Sequence, residues 1–175
     1  MLVATAAQTI GPYWGLIEHP EMADLTRFGA EGERLVLNGR ITDGAGALVV
    51  DAAVELWQAS PAVSSAFPGF GRCACDSEGR FRFTTVKPGP LPGPRSSNTQ
   101  QAPHLALTLL ARGIMTRLIT RVYFAGEALN ETDPILGLID DPARRATLIA
   151  QPDGPGAWSI NIRLQGDGET VFLDF

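Results

Sequence analysis

Two cysteines are the side chains whose chemistry can be judged most directly from their spacing. Cys73 and Cys75 stand two residues apart. On a β-strand both would point to the same face, and a disulfide between them would need severe distortion of the backbone. A zinc site would need two further ligands at suitable spacing, and the sequence has none nearby. The spacing therefore predicts buried, reduced thiols.

A second group with chemical potential is the segment GPYWG at residues 11–15, a turn that carries two aromatic side chains. Tyrosine and tryptophan are enriched at contact surfaces, so this turn could bind a partner or a ligand. The same aromatic rings could equally pack an N-terminal arm onto its own domain. The residues alone leave both interpretations open.

Composition and charge exclude several classes of function. A chain of 175 residues suits one domain, 1–175, with a substantial core. The net charge of −5 argues against nucleic-acid binding, which needs a basic surface. No apolar run approaches the length of a membrane span, and Met1–Ile10 lacks the positive start of a secretory signal. We therefore expect a cytoplasmic protein without nucleic-acid or membrane partners.

The longest regular pattern runs from Pro103 to Glu127 and predicts two β-strands. Apolar side chains alternate with other residues at 105–110 and again at 118–124, on either side of a break at Arg112–Gly113. A period of two places successive side chains on opposite faces of a pleated strand. Because both faces carry apolar residues, we expect this pair to lie in the middle of a sandwich.

Turn signals divide the rest of the chain into further short elements. The 19 glycines and 13 prolines favour a strand-rich fold over a helical one. Five segments are predicted as strands or as strand–turn–strand units: 34–42, 53–58, 72–86, 157–164 and 170–173. A DGAG turn at 43–46 follows the first of them. Residues 87–94 are too rich in proline for a central strand, and the polar segment 95–102 is expected to form an exposed loop.

Helical structure is predicted only in short segments. One turn of helix is expected within 21–27, and a short helix is expected within 133–150. In the second segment Asp141 is a favourable N-cap and Pro142 suits the first helical position. The pattern as a whole predicts a mainly β fold: a sandwich of about eight strands, with one or two short helices and an extended N-terminal arm.

Three segments, taken in their order, resemble the intradiol ring-cleaving dioxygenases. They are NGRITDGAGALVVDAAVELWQA at 38–59, GRCACDSEGRFRFTTVKPGPLP at 71–92, and PHLALTLLARGIMTRLITRVYFAGE at 103–127 followed by the C-terminal GDGETVFLDF. Each segment alone is a weak signal, and the ordered set is a strong one. The resemblance implies a β-sandwich of the transthyretin or immunoglobulin type with peripheral loops.

Intradiol enzymes of this type hold Fe(III) with two tyrosines and two histidines, a donor set that suits a hard Lewis acid. The chain has two residues of each kind: Tyr13, Tyr123, His19 and His104. The family pattern, however, needs a second histidine two residues after His104, where this chain has Ala106. It needs a tyrosine after the Pro-Gly-Pro turn, where Leu91 stands, and another within 61–71, which contains none. We therefore expect no metal ligand and no catalytic residue in this chain.

Some enzymes of the family pair two homologous chains, of which the β chain carries the iron and the α chain has lost the ligands. This sequence is similar to the α type, including its opening QTIGPYW. The resemblance implies that residues 1–32 form an arm that contacts the partner subunit and that residues 33–175 form the sandwich core. It also implies a β subunit that binds Fe(III), a higher-order assembly of αβ units, and activity only in that assembly.

The resemblance also implies substrate-binding residues beside the partner's iron: Thr9, Gly11, Pro12, Tyr13 and Arg112. The substrates would be O2 and a catechol that bears a carboxylate. A guanidinium near that carboxylate would compensate for its desolvation and attract the anion. Without the resemblance, Arg112 would be interpreted as a solvated arginine at a strand end.

Two alternatives belong to other classes. One is a non-enzymatic, transthyretin-like module that binds protein or carbohydrate. The other is a self-sufficient dioxygenase that has rebuilt its iron site from Tyr13, His19 and Tyr123.

Overall fold

The computed structural model describes residues 9–11, 13, 19–94 and 99–174. Within them lie ten strands: β1 (Arg34–Thr42), β2 (Ala53–Trp57), β3 (Phe70–Ala74), β4 (Arg80–Val86), β5 (Leu91–Pro92), β6 (Gln100–Gln101), β7 (His104–Leu110), β8 (Leu118–Phe124), β9 (Ile149–Pro152) and β10 (Ala157–Arg163). The same residues include one α-helix, α1 (Pro142–Ala146), and three 3₁₀ turns at Pro20–Ala23, Ala128–Glu131 and Leu136–Leu138. No helix in this part of the chain is long and apolar enough to cross a membrane.

Eight of these strands form the sandwich, in the order β3-β2-β7-β8-β9-β10-β1-β4, and β5 pairs separately with β6. Strand β9 joins the two layers. It runs parallel to β8, with Tyr123 opposite Ile149, and antiparallel to β10, with Trp158 opposite Pro152. The predicted mainly β sandwich is therefore confirmed, and the β7–β8 pair lies inside its layer as expected.

The core lies between the layers and takes every second side chain from each. The inward leucines and isoleucine of β1 and β7 are at most 1% exposed: Leu35, Leu37, Ile41, Leu105, Leu107 and Leu109. They belong to a single cluster that also includes side chains of β2, β4, β8 and β10. Burying one such side chain fully stabilises the fold by roughly 1.5–3 kcal/mol. The alternation of period two in the sequence thus places the side chains that form the hydrophobic core on one face of each strand.

One position inside β1 has no side chain because an aromatic ring occupies its space. Gly39 lies opposite Phe81 of β4, and a Cβ added to Gly39 would overlap three carbons of the Phe81 ring. Phe81 is buried, and its ring meets the Phe83 ring in an edge contact with centroids 6.1 Å apart. A glycine within a strand often marks such a close approach, and here the neighbouring ring covers it.

The predicted turns are present, but two of them connect strands of different layers. The backbone N–H of Gly79 donates to the carbonyl of Asp76 at 2.9 Å, which closes the turn between β3 and β4. Strand β3 nevertheless pairs with β2, while β4 pairs with β1. The turn at Asp43–Gly46 also leads from β1 in one layer towards β2 in the other. Turn chemistry located the chain reversals without revealing which strands pair.

Two predictions for the end and middle of the chain are wrong. Thr170–Leu173 is not a strand, because its two ends bond to different strands: Thr170 N–H donates to Arg163 of β10 and Leu173 N–H to Ile119 of β8. Ala102 does not lie in an exposed loop. It is fully buried, since its N–H donates to the buried carboxyl group of Asp133 at 2.7 Å.

The short helices and the N-terminal segment agree in part with expectation. Helix α1 begins as predicted, with the side chain of Asp141 accepting the N–H of Ala143 at 2.8 Å. The turn expected within 21–27 is a 3₁₀ turn and lies slightly earlier, at Pro20–Ala23. Leu25 follows it, fully buried in the core, with its N–H donating to Thr84 of β4. This part of the expected arm therefore packs on the chain's own sandwich.

We expect Gly39→Ala to lower the free energy of unfolding by about 1–3 kcal/mol, because the new methyl group must displace the buried Phe81 ring. Urea unfolding followed by tryptophan fluorescence measures the change. Gly137→Ala is the matched control, since a Cβ at Gly137 would meet no atom within 4 Å. An unchanged unfolding midpoint for Gly39→Ala would contradict the close packing of ring and glycine.

Candidate functional site

The structure brings three of the five predicted site residues together. Thr9 and Gly11 lie against the connection between β7 and β8, which carries Arg112. The N–H of Gly113 donates to the carbonyl of Thr9 at 3.3 Å, and the Thr9 hydroxyl accepts the N–H of Gly11 at 3.2 Å. The arm and the turn are therefore joined through their backbones. Of the other two predicted residues, Tyr13 is 63% exposed, and Pro12 lies outside the described residues, as does Trp14.

The contact between the arm and the turn requires glycine at position 11. Gly11 has φ +87, a backbone conformation that residues with a Cβ rarely adopt. A Cβ at this position would also lie 2.7 Å from the backbone nitrogen of Arg112. The predicted importance of Gly11 thus has a steric basis, because any larger residue would push the arm away from the turn.

Arg112 points into solvent and is steered by an acidic residue that the sequence pattern did not single out. Its side chain is 71% exposed, and its Nε lies 3.2 Å from Oδ2 of Asp51. A guanidinium has five N–H donors, so this contact leaves the terminal nitrogens able to donate elsewhere. Asp51 precedes β2 and is far from Arg112 in the sequence. Only the pairing of β2 with β7 brings the two side chains together.

A cavity of about 230 Å³ lies where the arm meets the β7–β8 connection. Its wall includes two hydroxyl-bearing residues, apolar side chains and one arginine: Thr9, Thr116, Ala111, Ile114, Met115 and Arg117. A larger cavity of about 640 Å³ lies at the other edge of the sandwich, between β3 and β4, and none of the four predicted site residues that the structure describes lines it. The smaller cavity is the candidate site because Thr9 and Gly11 line it, whereas Arg112 and Tyr13 are not among its lining residues. Arg117 is a member that the sequence prediction missed.

His104, which stands at a family ligand position, is held inside the protein. Its Nδ1 lies 2.7 Å from the carbonyl of Ala102, so Nδ1 carries the hydrogen and donates it. Burial lowers the pKa of His104, and the positive charge of nearby Arg121 lowers it further, against weaker opposing effects of Ala102 and Asp133. His104 is therefore a buried, hydrogen-bonded histidine whose neutral form is favoured.

Tyr123 lies beside His104, with ring centroids 5.4 Å apart, and also makes hydrogen bonds inside the protein. Its hydroxyl donates to Asp133 at 3.2 Å and accepts from Arg121 at 3.3 Å. Burial is the main cause that raises the pKa of Tyr123 above its usual range, so the phenol stays protonated. Asp133 also accepts the N–H groups of Ile135 and Leu136. These side chains form one buried polar network that fixes the start of β7.

The residues present do not fit the iron centre of the family. The side chain of Ala106 offers no ligand atom, and Leu91 lies in β5 after the Pro-Gly-Pro turn. Tyr123 is fully buried, whereas His19 lies on the surface and contacts Glu21 at 3.5 Å. Within the described ranges, no group of three or more histidine, cysteine or acidic residues is arranged to hold a metal ion. No contact in this part of the chain favours an iron site rebuilt from Tyr13, His19 and Tyr123.

The two cysteines are free thiols, as the sequence predicted. Cys75 is buried and Cys73 is half-buried, and the sulfur of Cys73 accepts the backbone N–H of Arg82. Burial raises the pKa of each thiol to about 12. Both sulfurs therefore stay protonated near neutral pH, which makes them packing residues rather than nucleophiles.

Comparison with known proteins agrees with the fold. A family model described as dioxygenase matches residues 11–163. The chain belongs to this family, the iron-dependent intradiol dioxygenases, as the ordered segments of its sequence indicated. It is similar over its whole length to the protocatechuate 3,4-dioxygenase alpha chain of Pseudomonas putida, with 39% identity covering 100% of this chain and 98% of that protein.

Two further relatives place the chain within the family. The protocatechuate 3,4-dioxygenase beta chain of Burkholderia cepacia is 34% identical, over 79% of this chain and 63% of that protein. Among solved structures, the dioxygenase domain of a dioxygenase carbohydrate-binding protein fusion from Streptomyces sp. SirexAA-E has a TM-score of 0.62 and 25% identity. That match covers 82% of this chain and 87% of the other.

We expect the free energy of unfolding to fall as the pH is lowered from about 8 to about 5.5, in part because of His104. Its pKa in the folded state lies below the usual value of 6.5, so the unfolded chain binds more protons at mildly acidic pH. The stability contributed by the neutral ring is complete above the unfolded pKa. It is lost progressively as the pH falls below that value towards the lowered pKa of the folded state.

Urea unfolding across this pH range measures the effect. His104→Gln should remove part of the slope, whereas His19→Gln, at an exposed position, is the control that should keep it. A slope that stays the same in His104→Gln would contradict the assignment to His104.

Proposed function

We propose that this chain is the iron-free alpha subunit of a protocatechuate 3,4-dioxygenase. A homologous beta subunit would bind the Fe(III), and several such pairs would assemble further. The complex would cleave 3,4-dihydroxybenzoate with O2 between the hydroxylated carbons to give 3-carboxy-cis,cis-muconate. The cytoplasmic location expected from the sequence remains a prediction.

One observation carries the proposal: the chain keeps the family fold while its own donor groups are unfit for iron. Ala106 and Leu91 have no ligand atom, and the hydroxyl of Tyr123 donates to a buried carboxyl group. Nδ1 of His104 donates to a backbone carbonyl, which leaves Nε2 as a single possible ligand atom, and the described residues supply no cluster that would complete a metal site. The similarity to an alpha chain extends over both full lengths, whereas the similarity to a beta chain covers 63% of that protein. Both facts support an alpha-type subunit.

The proposed contribution of this chain is pocket wall, recognition of the substrate carboxylate, and assembly. Residues 1–32 would contact the beta subunit, and Thr9, Gly11, Pro12, Tyr13 and Arg112 would border the substrate. The exposure of Arg112 and Tyr13 supports this role, since both side chains are free to meet a partner. Asp51 engages Nε of Arg112, so the terminal nitrogens could donate to a carboxylate.

Iron content, visible absorption and ring cleavage test the proposal directly. We expect this chain purified alone to bind no iron and to be colourless and inactive. After co-expression with an iron-bearing beta chain, the purified complex should show iron, the visible absorption of Fe(III)-tyrosinate and cleavage of protocatechuate. The beta chain expressed alone is the control. Stoichiometric iron and activity in the lone alpha chain would contradict the proposal.

Replacing Arg112 tests its proposed contact with the substrate carboxylate. In the complex we expect Arg112→Ala to lower kcat/KM for protocatechuate about tenfold, because hydrogen bonds to charged groups contribute about 1.5–3 kcal/mol. Catechol, which has no carboxylate, should be little affected. Arg34→Ala is the matched control, because Arg34 is 67% exposed and pairs with Asp24 as Arg112 pairs with Asp51. Unchanged kinetics with protocatechuate would exclude this role.

A further inference from the structure

Arg117 lines the small cavity beside the arm and lies directly before β8. Its side chain is exposed. It makes no ion pair or hydrogen bond with any described residue. The neighbouring Arg112 is paired with Asp51, and the arginines at the larger cavity also have acceptors: Arg72 has Glu55, Arg80 has Asp76 and Arg82 has Asn38.

The other arginines of the described residues also have acceptors. Arg27, Arg145 and Arg163 donate to backbone carbonyls, Arg34, Arg40 and Arg144 pair with carboxylates, and Arg121 donates to Gln101 and Tyr123. Arg117 thus differs from its counterparts in this part of the chain. An arginine at a cavity wall that makes no hydrogen bond or ion pair with the described residues can offer its five N–H donors to a ligand.

The composition of the cavity indicates the kind of ligand. Ala111, Ile114 and Met115 provide apolar surface, and Thr9 and Thr116 provide hydroxyl groups. Charge interactions are stronger beside apolar surface than in open water. Among the described residues that line this cavity, none has an acidic side chain. A planar guanidinium in such a wall matches the two oxygens of a carboxylate.

We propose that Arg117 is a specificity-determining residue, a second guanidinium that selects catechols with a carboxylate on the ring. This inference rests on the proposed function, in which Thr9 and Gly11 border the substrate, and both of these residues also line the cavity. Arg112 and Arg117 lie on either side of the Gly113 turn, in the connection that also holds the arm. Asp51 contacts only Nε of Arg112, so the terminal nitrogens of Arg112 and the guanidinium of Arg117 could both donate to the anion.

The experiment uses the iron-loaded complex with the beta subunit and compares kcat and KM for protocatechuate and for catechol. We expect Arg117→Gln to lower kcat/KM for protocatechuate about tenfold, mainly through KM, because one hydrogen bond to a charged group is lost. The value for catechol should change less than about twofold. Arg117→Lys should recover part of the selectivity, since it keeps the charge but loses the planar fork. Arg82→Gln, at the other cavity, is the control.

The outcomes separate this inference from the proposed function. If the wild-type complex does not cleave protocatechuate, the proposed function is wrong and the role of Arg117 falls with it. If the wild type is active and Arg117→Gln keeps the ratio of the two kcat/KM values, the inference alone is wrong. If Arg117→Gln lowers both values equally or dissociates the complex, Arg117 serves assembly, which also overturns the inference and leaves the proposed function intact.

Discussion

The pleat of β7 is the constraint on which the rest of the structure depends. Its period of two turns Leu105, Leu107 and Leu109 into the core, where they meet the side chains of the opposite layer. The same period sends His104 and Ala106 to the other face, where the family would place two histidine ligands. Core packing therefore fixes the geometry of the ligand positions whatever residues occupy them. The fold can persist after the ligands are lost, because the leucines that stabilise it lie on the opposite face.

Local patterns in the sequence predicted the elements well and their partners poorly. Strands β1, β7 and β8 follow from alternation, and the start of α1 follows from Asp141 and Pro142, because each signal lies within a few residues. That β3 and β4 belong to different layers depends on contacts far apart in the chain, so the turn between them could not reveal it. The burial of Ala102 likewise depends on Asp133, a residue in a different loop.

The candidate site shows the same division. Arg112 and the arm residues were predicted from the resemblance to a family, and the structure brings Thr9, Gly11 and Arg112 into contact. Asp51 could not be predicted, since only the pairing of β2 with β7 brings it near. Arg117 carries no sequence signal of its own. Arg117 makes no ion pair or hydrogen bond with a described residue, whereas every other arginine in this part of the chain has an acceptor. Only the structure shows this difference.

The polar groups at the face where the family resemblance would place iron ligands have a structural role. A buried phenol, imidazole and carboxyl group cost free energy unless each is hydrogen-bonded. Here Tyr123 donates to Asp133, His104 donates to Ala102, and Asp133 also accepts backbone N–H groups at the next 3₁₀ turn. A tyrosine engaged in this way stays protonated, and a phenolate ligand must lose that proton. The contact of Tyr123 with Asp133 therefore opposes iron ligation by this tyrosine, and in the proposed complex the chemistry belongs to the partner.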